Sequence, residues 1–227
     1  MTQLRTDTLT LKASDGHTFS AYMAVPPTPK GALVVVQEIF GLNDHIRDMT
    51  RRFAEAGYAS IAPALFDRAE RGVAFTYTGE NVKRGIALAY ATGGWVNNLM
   101  DIQACMSAVK QHGKTGVVGY CWGGSLAWLS ACRLPGTAAA VGYYGGQIHP
   151  FKDETPKAPT LLHFAALDAH IPLDHVRDIQ AAHPLLPIHI YADADHGFNC
   201  DQRPAYHAPS AQLAWERTLA HLSAHIG

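Results

Sequence analysis

The chain predicts an α/β fold, with a mostly parallel central sheet and helices on both faces. Three observations lead there. Apolar runs of strand length recur at 32–36, 58–62, 116–119, 138–143, 160–165 and 188–191. These runs are continuous rather than alternating, as strands buried on both faces require. Segments with helical spacing lie between them, so the repeating unit is strand, helix, strand, and the sheet is parallel.

Taken in order, the first element is an alternating segment in which Phe19, Ala21 and Met23 face one way and Ser20 and Tyr22 the other. That pattern predicts a half-exposed edge strand ahead of the parallel core. Pro26-Pro27-Thr28-Pro29-Lys30-Gly31 is a stiff connection, too near the start of the chain to mark a domain boundary. After the 32–36 strand, Asn43 or Asp44 caps a helix carrying Ile46, Met49, Phe53 and Ala56, and Gly57 stops it. The stretch 66–81, rich in Arg, Gly and Thr, is the longest irregular segment and is expected to border a functional site. Leu99, Ile102, Met106 and Val109 make a second helical stripe, 124–132 reads as a helix, and Trp215, Leu219, Leu222 and Ile226 make a stripe near the C-terminus. No repeat, low-complexity tract or linker interrupts the 227 residues, so one domain spanning 1–227 is expected.

Composition narrows the function classes. With 18 basic against 19 acidic side chains, nothing points to nucleic acid or an anionic membrane as partner. The N-terminus is polar from the start, without the basic-then-apolar layout of a secretory signal, and no apolar stretch approaches the ~18 residues of a membrane span. A cytoplasmic location is expected. Cys105, Cys121, Cys132 and Cys200 form no C-x-x-C pair and show no metal-ligand spacing, which indicates neither a metal site nor a disulfide scaffold.

The chemistry concentrates around Cys121. Gly119-Tyr120-Cys121-Trp122-Gly123 is the cysteine version of G-x-S-x-G, in which the nucleophile occupies a strained turn from strand into helix. Burial as an inert thiol is the commonest fate of a free cysteine; the strand before Cys121 and the helix after it favour the nucleophile. Such a nucleophile needs a base, and the base an orienting acid, in the chain order nucleophile, acid, histidine. Asp168 follows the 160–165 strand and His196 follows the 188–191 strand. Asp168 also suits a turn or helix cap, and His196 competes with twelve other histidines, but both fall on loops after strands, where α/β sheets place their sites.

Five segments in order then resemble the dienelactone hydrolase family: Gln37-Glu38-Ile39-Phe40-Gly41, Gly119-Tyr120-Cys121-Trp122-Gly123-Gly124, Val141-Gly142-Tyr143-Tyr144-Gly145, Asp168 after its strand, and His196-Gly197-Phe198. The resemblance runs from about Asp15 to the C-terminus. It implies an α/β-hydrolase fold, no cofactor, and a triad of Cys121, Asp168 and His196 that cleaves esters or enol-lactones, carboxymethylenebutenolide in particular. On the same resemblance, Glu38 contacts the resting thiol and helps generate the thiolate. Ile39 and Trp122 supply backbone N–H groups to an oxyanion. Arg203, seven residues after His196, matches an arginine that holds a substrate carboxylate. A second arginine is expected from mid-chain, Arg84 being chosen over Arg68 and Arg71, and Tyr144 is assigned to substrate binding. The expected partner is a small ester or lactone, anionic if Arg203 clamps it, and the chain is expected to be a monomer or weak homo-oligomer. The alternatives are a small carboxylesterase or thioesterase, and a binding protein that kept the fold without the chemistry.

Overall fold

The computed structural model describes residues 3–227. Eight strands, Arg5–Lys12 (β1), Thr18–Val25 (β2), Gly31–Val36 (β3), Tyr58–Pro63 (β4), Thr115–Tyr120 (β5), Thr137–Tyr143 (β6), Thr160–Ala165 (β7) and Ile188–Tyr191 (β8), form one sheet in the order β1-β2-β4-β3-β5-β6-β7-β8. β1, β2 and β4 pair antiparallel, and every pair from β4 to β8 is parallel. The helices are Asp44–Glu55 (α1), Gly79–Ala91 (α2), Trp95–Val109 (α3), Trp122–Arg133 (α4), Leu173–Ala182 (α5) and Ala208–Ile226 (α6).

Every residue of β3, β4, β5 and β7 is buried, which is why these segments read as unbroken apolar runs. Helices α1 and α6 meet on one face, where the Phe53 and Trp215 rings stand 4.7 Å apart, while α3 and α4 pack together against β3 to β6 on the other. Helix α1 starts as expected: the Asn43 side chain accepts a hydrogen bond from the Ile46 N–H at 3.2 Å. Gly57, at φ +100°, ends it.

Two expectations need correction. The strand around 19–23 is not the edge; β2 is flanked by both β1 and β4, and β1 is the outer strand. β1 escapes a hydrophobicity reading because only Leu9 and Leu11 of its eight residues are part-buried and the rest face water. Helix α2 also has no apolar stripe to betray it, since Gly85 is its one buried residue. The irregular stretch is therefore shorter than 66–81, ending where Thr78 caps α2.

The register sets up the site. Val36 pairs with Gly119, Tyr120 with Tyr143, Tyr143 with His163, and Ala165 with Tyr191, so the carboxyl ends of β3, β5, β6, β7 and β8 lie side by side. Glu38, Cys121, Tyr144, Asp168 and His196 each follow one of those ends within a few residues.

Candidate active site

Cys121 sits at the junction of β5 and α4 with φ +55° and ψ −117°, a conformation that L-residues rarely adopt. The neighbours hold it there. Its N–H donates to the Tyr143 carbonyl at 3.0 Å, and its own carbonyl accepts from the Gly124 N–H at 2.9 Å. Gly123 is required by close approach, because a Cβ there would lie 2.5 Å from the carbonyl oxygens of both Val36 and Gln37. The turn thus lifts the thiol above the sheet edge, where Cys121 is part-exposed while Cys105, Cys132 and Cys200 are buried.

The sulfur lies 3.1 Å from His196 Nε2, and His196 Nδ1 lies 2.7 Å from Asp168 Oδ2. The other carboxylate oxygen of Asp168 accepts from the His170 N–H at 2.8 Å, which fixes its orientation. Backbone bonds from Ala166 to Tyr191 and from Leu167 to Ala194 tie the β7 and β8 loops together. Burial pushes His196 towards its neutral form. The Cys121 sulfur and the Asp168 carboxylate outweigh it, and the histidine pKa is raised above its ordinary value.

Glu38 is fully buried just past β3, its Oε1 3.2 Å from Arg203 Nη1. The Arg203 guanidinium also lies over the rings of Tyr77, at 5.4 Å, and Phe40, at 5.7 Å. Gly197 makes room for it, since a Cβ there would collide with the guanidinium. Trp122 begins α4, so its N–H has no partner within the helix. Its ring stacks on Phe66 at 5.6 Å, and Trp95 stands 6.4 Å away. Ile39 is part-buried beneath α2, where Gly85 rides directly on its carbonyl.

Tyr144, expected among the substrate-binding residues, is fully buried at φ +38° with its ring 5.1 Å from that of His196. It therefore backs the histidine from below. Arg84 stays outside the cluster: it lies half-exposed on α2, pairs with Glu70 and covers the Phe75 ring at 4.8 Å. The arginines passed over are also engaged elsewhere, Arg68 in a two-bond pair with Asp101 at 2.7 and 2.8 Å and Arg71 on the Thr18 carbonyl. Sequence reading missed Tyr77, whose hydroxyl accepts from Asn43 at 3.1 Å, and His45, buried on α1 near Glu38. Tyr77 carried one signal, its place in the irregular stretch expected to border the site. His45 carried none, because a lone histidine in the first turn of a helix looks like a surface residue.

A family model described as the dienelactone hydrolase family matches residues 19–226. A carboxymethylenebutenolidase from Pseudomonas putida is 32% identical over 228 residues, covering 96% of this chain and 96% of its own. A protein of Yersinia pestis provisionally named a carboxymethylenebutenolidase is 36% identical, over 93% of this chain and 86% of its own. The solved structure of a provisionally named dienelactone hydrolase from Klebsiella pneumoniae subsp. pneumoniae matches with a TM-score of 0.86 at 30% identity, covering 97% of this chain and 99% of that one. The shared architecture is the α/β-hydrolase fold. An aligned sheet edge, matched along nearly its whole length by such relatives, means that the chain belongs to the dienelactone hydrolase family and is a hydrolase of ester or lactone bonds.

Proposed function

We propose that the chain hydrolyses an enol-lactone or ester through a Cys121-His196-Asp168 triad. The observation that carries this reading is the continuous line of hydrogen bonds from Cys121 Sγ through both nitrogens of His196 to the Asp168 carboxylate. The Cys121 thiolate adds to the carbonyl carbon, and the oxygen takes the negative charge. The N–H groups of Ile39 and Trp122 hold that oxyanion. The C–O bond then breaks, His196 protonates the leaving oxygen, and an acyl-thioester remains on Cys121. His196 next takes a proton from water, the resulting hydroxide attacks the thioester, and the thiol is regenerated. A thiolate suits an enol-lactone, whose leaving group is a stabilised enolate.

Arg203 would seat an anionic substrate, but Glu38 already occupies it. That pairing favours a second reading in which neutral esters are hydrolysed as well, the carboxylate of an acidic substrate having to share or displace Glu38. The relatives named carboxymethylenebutenolidase support the anionic lactone as the first substrate to try. Rapid mixing with a dienelactone and with p-nitrophenyl esters tests both readings. A burst of one p-nitrophenol equivalent per chain with the esters, and of one dienelactone equivalent consumed per chain, both absent in Cys121→Ala, is the expected result. A variant with wild-type turnover would remove Cys121 as nucleophile.

A further inference from the structure

Behind the triad lies a second group of reactive side chains, which shares Glu38 with the hydrolytic site and adds two residues, His45 and Cys200, that hydrolysis does not account for. Glu38 comes from the loop after β3, His45 from the first turn of α1 and Cys200 from the turn ahead of α6. One donor atom from each lies within 4.8 Å of the other two. All three residues are at most 1% exposed. Glu38 Oε2 and both ring nitrogens of His45 have no hydrogen-bond partner among the described residues. Buried polar atoms left without partners are costly, and their convergence on one point calls for an occupant that satisfies several at once.

A single cation does so. Carboxylate oxygen, imidazole nitrogen and thiolate sulfur together form the donor set of zinc and similar thiophilic metals, whereas magnesium and calcium prefer oxygen alone. The remaining capacity of the donors is already held in place. Glu38 Oε1 is anchored on Arg203, and the Tyr77 hydroxyl is fixed by Asn43. Outer contacts of this kind orient metal ligands. Arg203 keeps 18% of its side chain exposed while touching Glu38, so the cluster lies one residue below the surface.

We propose that Glu38, His45 and Cys200 bind a divalent cation of the zinc class. Tetrahedral sites with bonds of about 2.0–2.3 Å place their ligands about 3.3–3.8 Å apart, so closing the cluster needs shifts of about 1 Å. A thiol ligates zinc as the thiolate, so Cys200 gives its proton to solvent as the metal–sulfur bond forms. Each cation bound therefore releases one proton. Pattern reading could not find this site, because its ligands come from three distant stretches rather than a closely spaced motif.

The test uses Co²⁺ alone, added to the Cys121→Ala chain so that the triad offers no thiolate. Equilibrium dialysis should give one Co²⁺ per chain, and the near-ultraviolet spectrum should show sulfur-to-cobalt charge transfer. Adding Cys200→Ser should abolish the band, and adding His45→Gln should weaken binding by at least about 10-fold. No band in Cys121→Ala, as expected if only water fills the cluster, or a band indifferent to both substitutions, would overturn the proposal. If the double variants fail to fold, as judged by circular dichroism, the single variant still decides. Release of about one proton per Zn²⁺ supports the site, and no release defeats it. Neither outcome touches the hydrolase reading, which rests on Cys121.

Discussion

The strain at Cys121 and the double engagement of Arg203 are the two single-residue features with the sharpest consequences. Cys121→Ser is expected to fold like the parent and to lose at least about 100-fold in kcat, since His196 and its surroundings favour a thiolate and not an alkoxide; titrated stopped-flow turnover measures it. Arg203→Ala removes a charge-assisted pair worth about 1.5–3 kcal/mol, so kcat/KM for an ester bearing a carboxylate should fall about 10- to 100-fold. Neutral esters should lose less, and Arg203→Lys should recover part of the loss, a point charge replacing a two-pronged one. Equal losses on both substrates would make Arg203 a support for Glu38 alone. The meeting of Cys121, Asp168 and His196 was legible because each is announced by what precedes it, a strand end. That Glu38 leans on Arg203 was open to sequence reading only through the family resemblance, because a carboxylate and a guanidinium far apart in sequence carry no local sign of meeting.

At the level of elements, the segment between β4 and α3 shows how helices can hide from pattern. Helix α2 buries almost nothing and is held by its Thr78 cap, the Arg84–Glu70 pair and the contact of Gly85 with Ile39. Just before it, Arg68 joins the turn after β4 to α3 through Asp101, whose side chain is fully buried, and reaches Asp15 as well. Asp101→Ala leaves the buried Arg68 guanidinium with only the part-exposed Asp15 and should cost about 3 kcal/mol in urea unfolding. The paired change Arg68→Met with Asp101→Leu should restore most of that stability while kcat on a neutral ester stays within about twofold, because neither residue touches the triad. An additive double loss would show that the pair itself carries the stability. The strands of the parallel core were readable since burial on both faces leaves mostly apolar residues, whereas β1, exposed on nearly every residue, follows no such rule.

Across the whole molecule, buried neutral histidines couple stability to acid. His163, enclosed by Tyr191 at 2.9 Å and Thr218 at 3.1 Å, is held well below its ordinary pKa by burial, and burial lowers His45 in the same way. Unfolded, both take protons as the pH drops below about 6.5; folded, they resist, so the stability they contribute is complete above that pH and is lost as the pH falls. Urea midpoints should therefore decline from pH 7 to pH 5, and His163→Gln should flatten the decline even if it lowers the plateau. A wild-type midpoint unchanged over that interval would contradict this account. The placement of β8 has a different kind of consequence. It is the last and shortest strand of the sheet, only partly covered, and the loop behind it carries His196. A margin of this kind opens before the centre does, by a local fluctuation much cheaper than global unfolding. Amide protons of β8 should exchange with deuterium well before those of β5, and in mild urea hydrolysis should fade while the far-ultraviolet signal is still native. Catalytic lifetime would then be governed by fraying at one margin of the sheet, with most of the core intact.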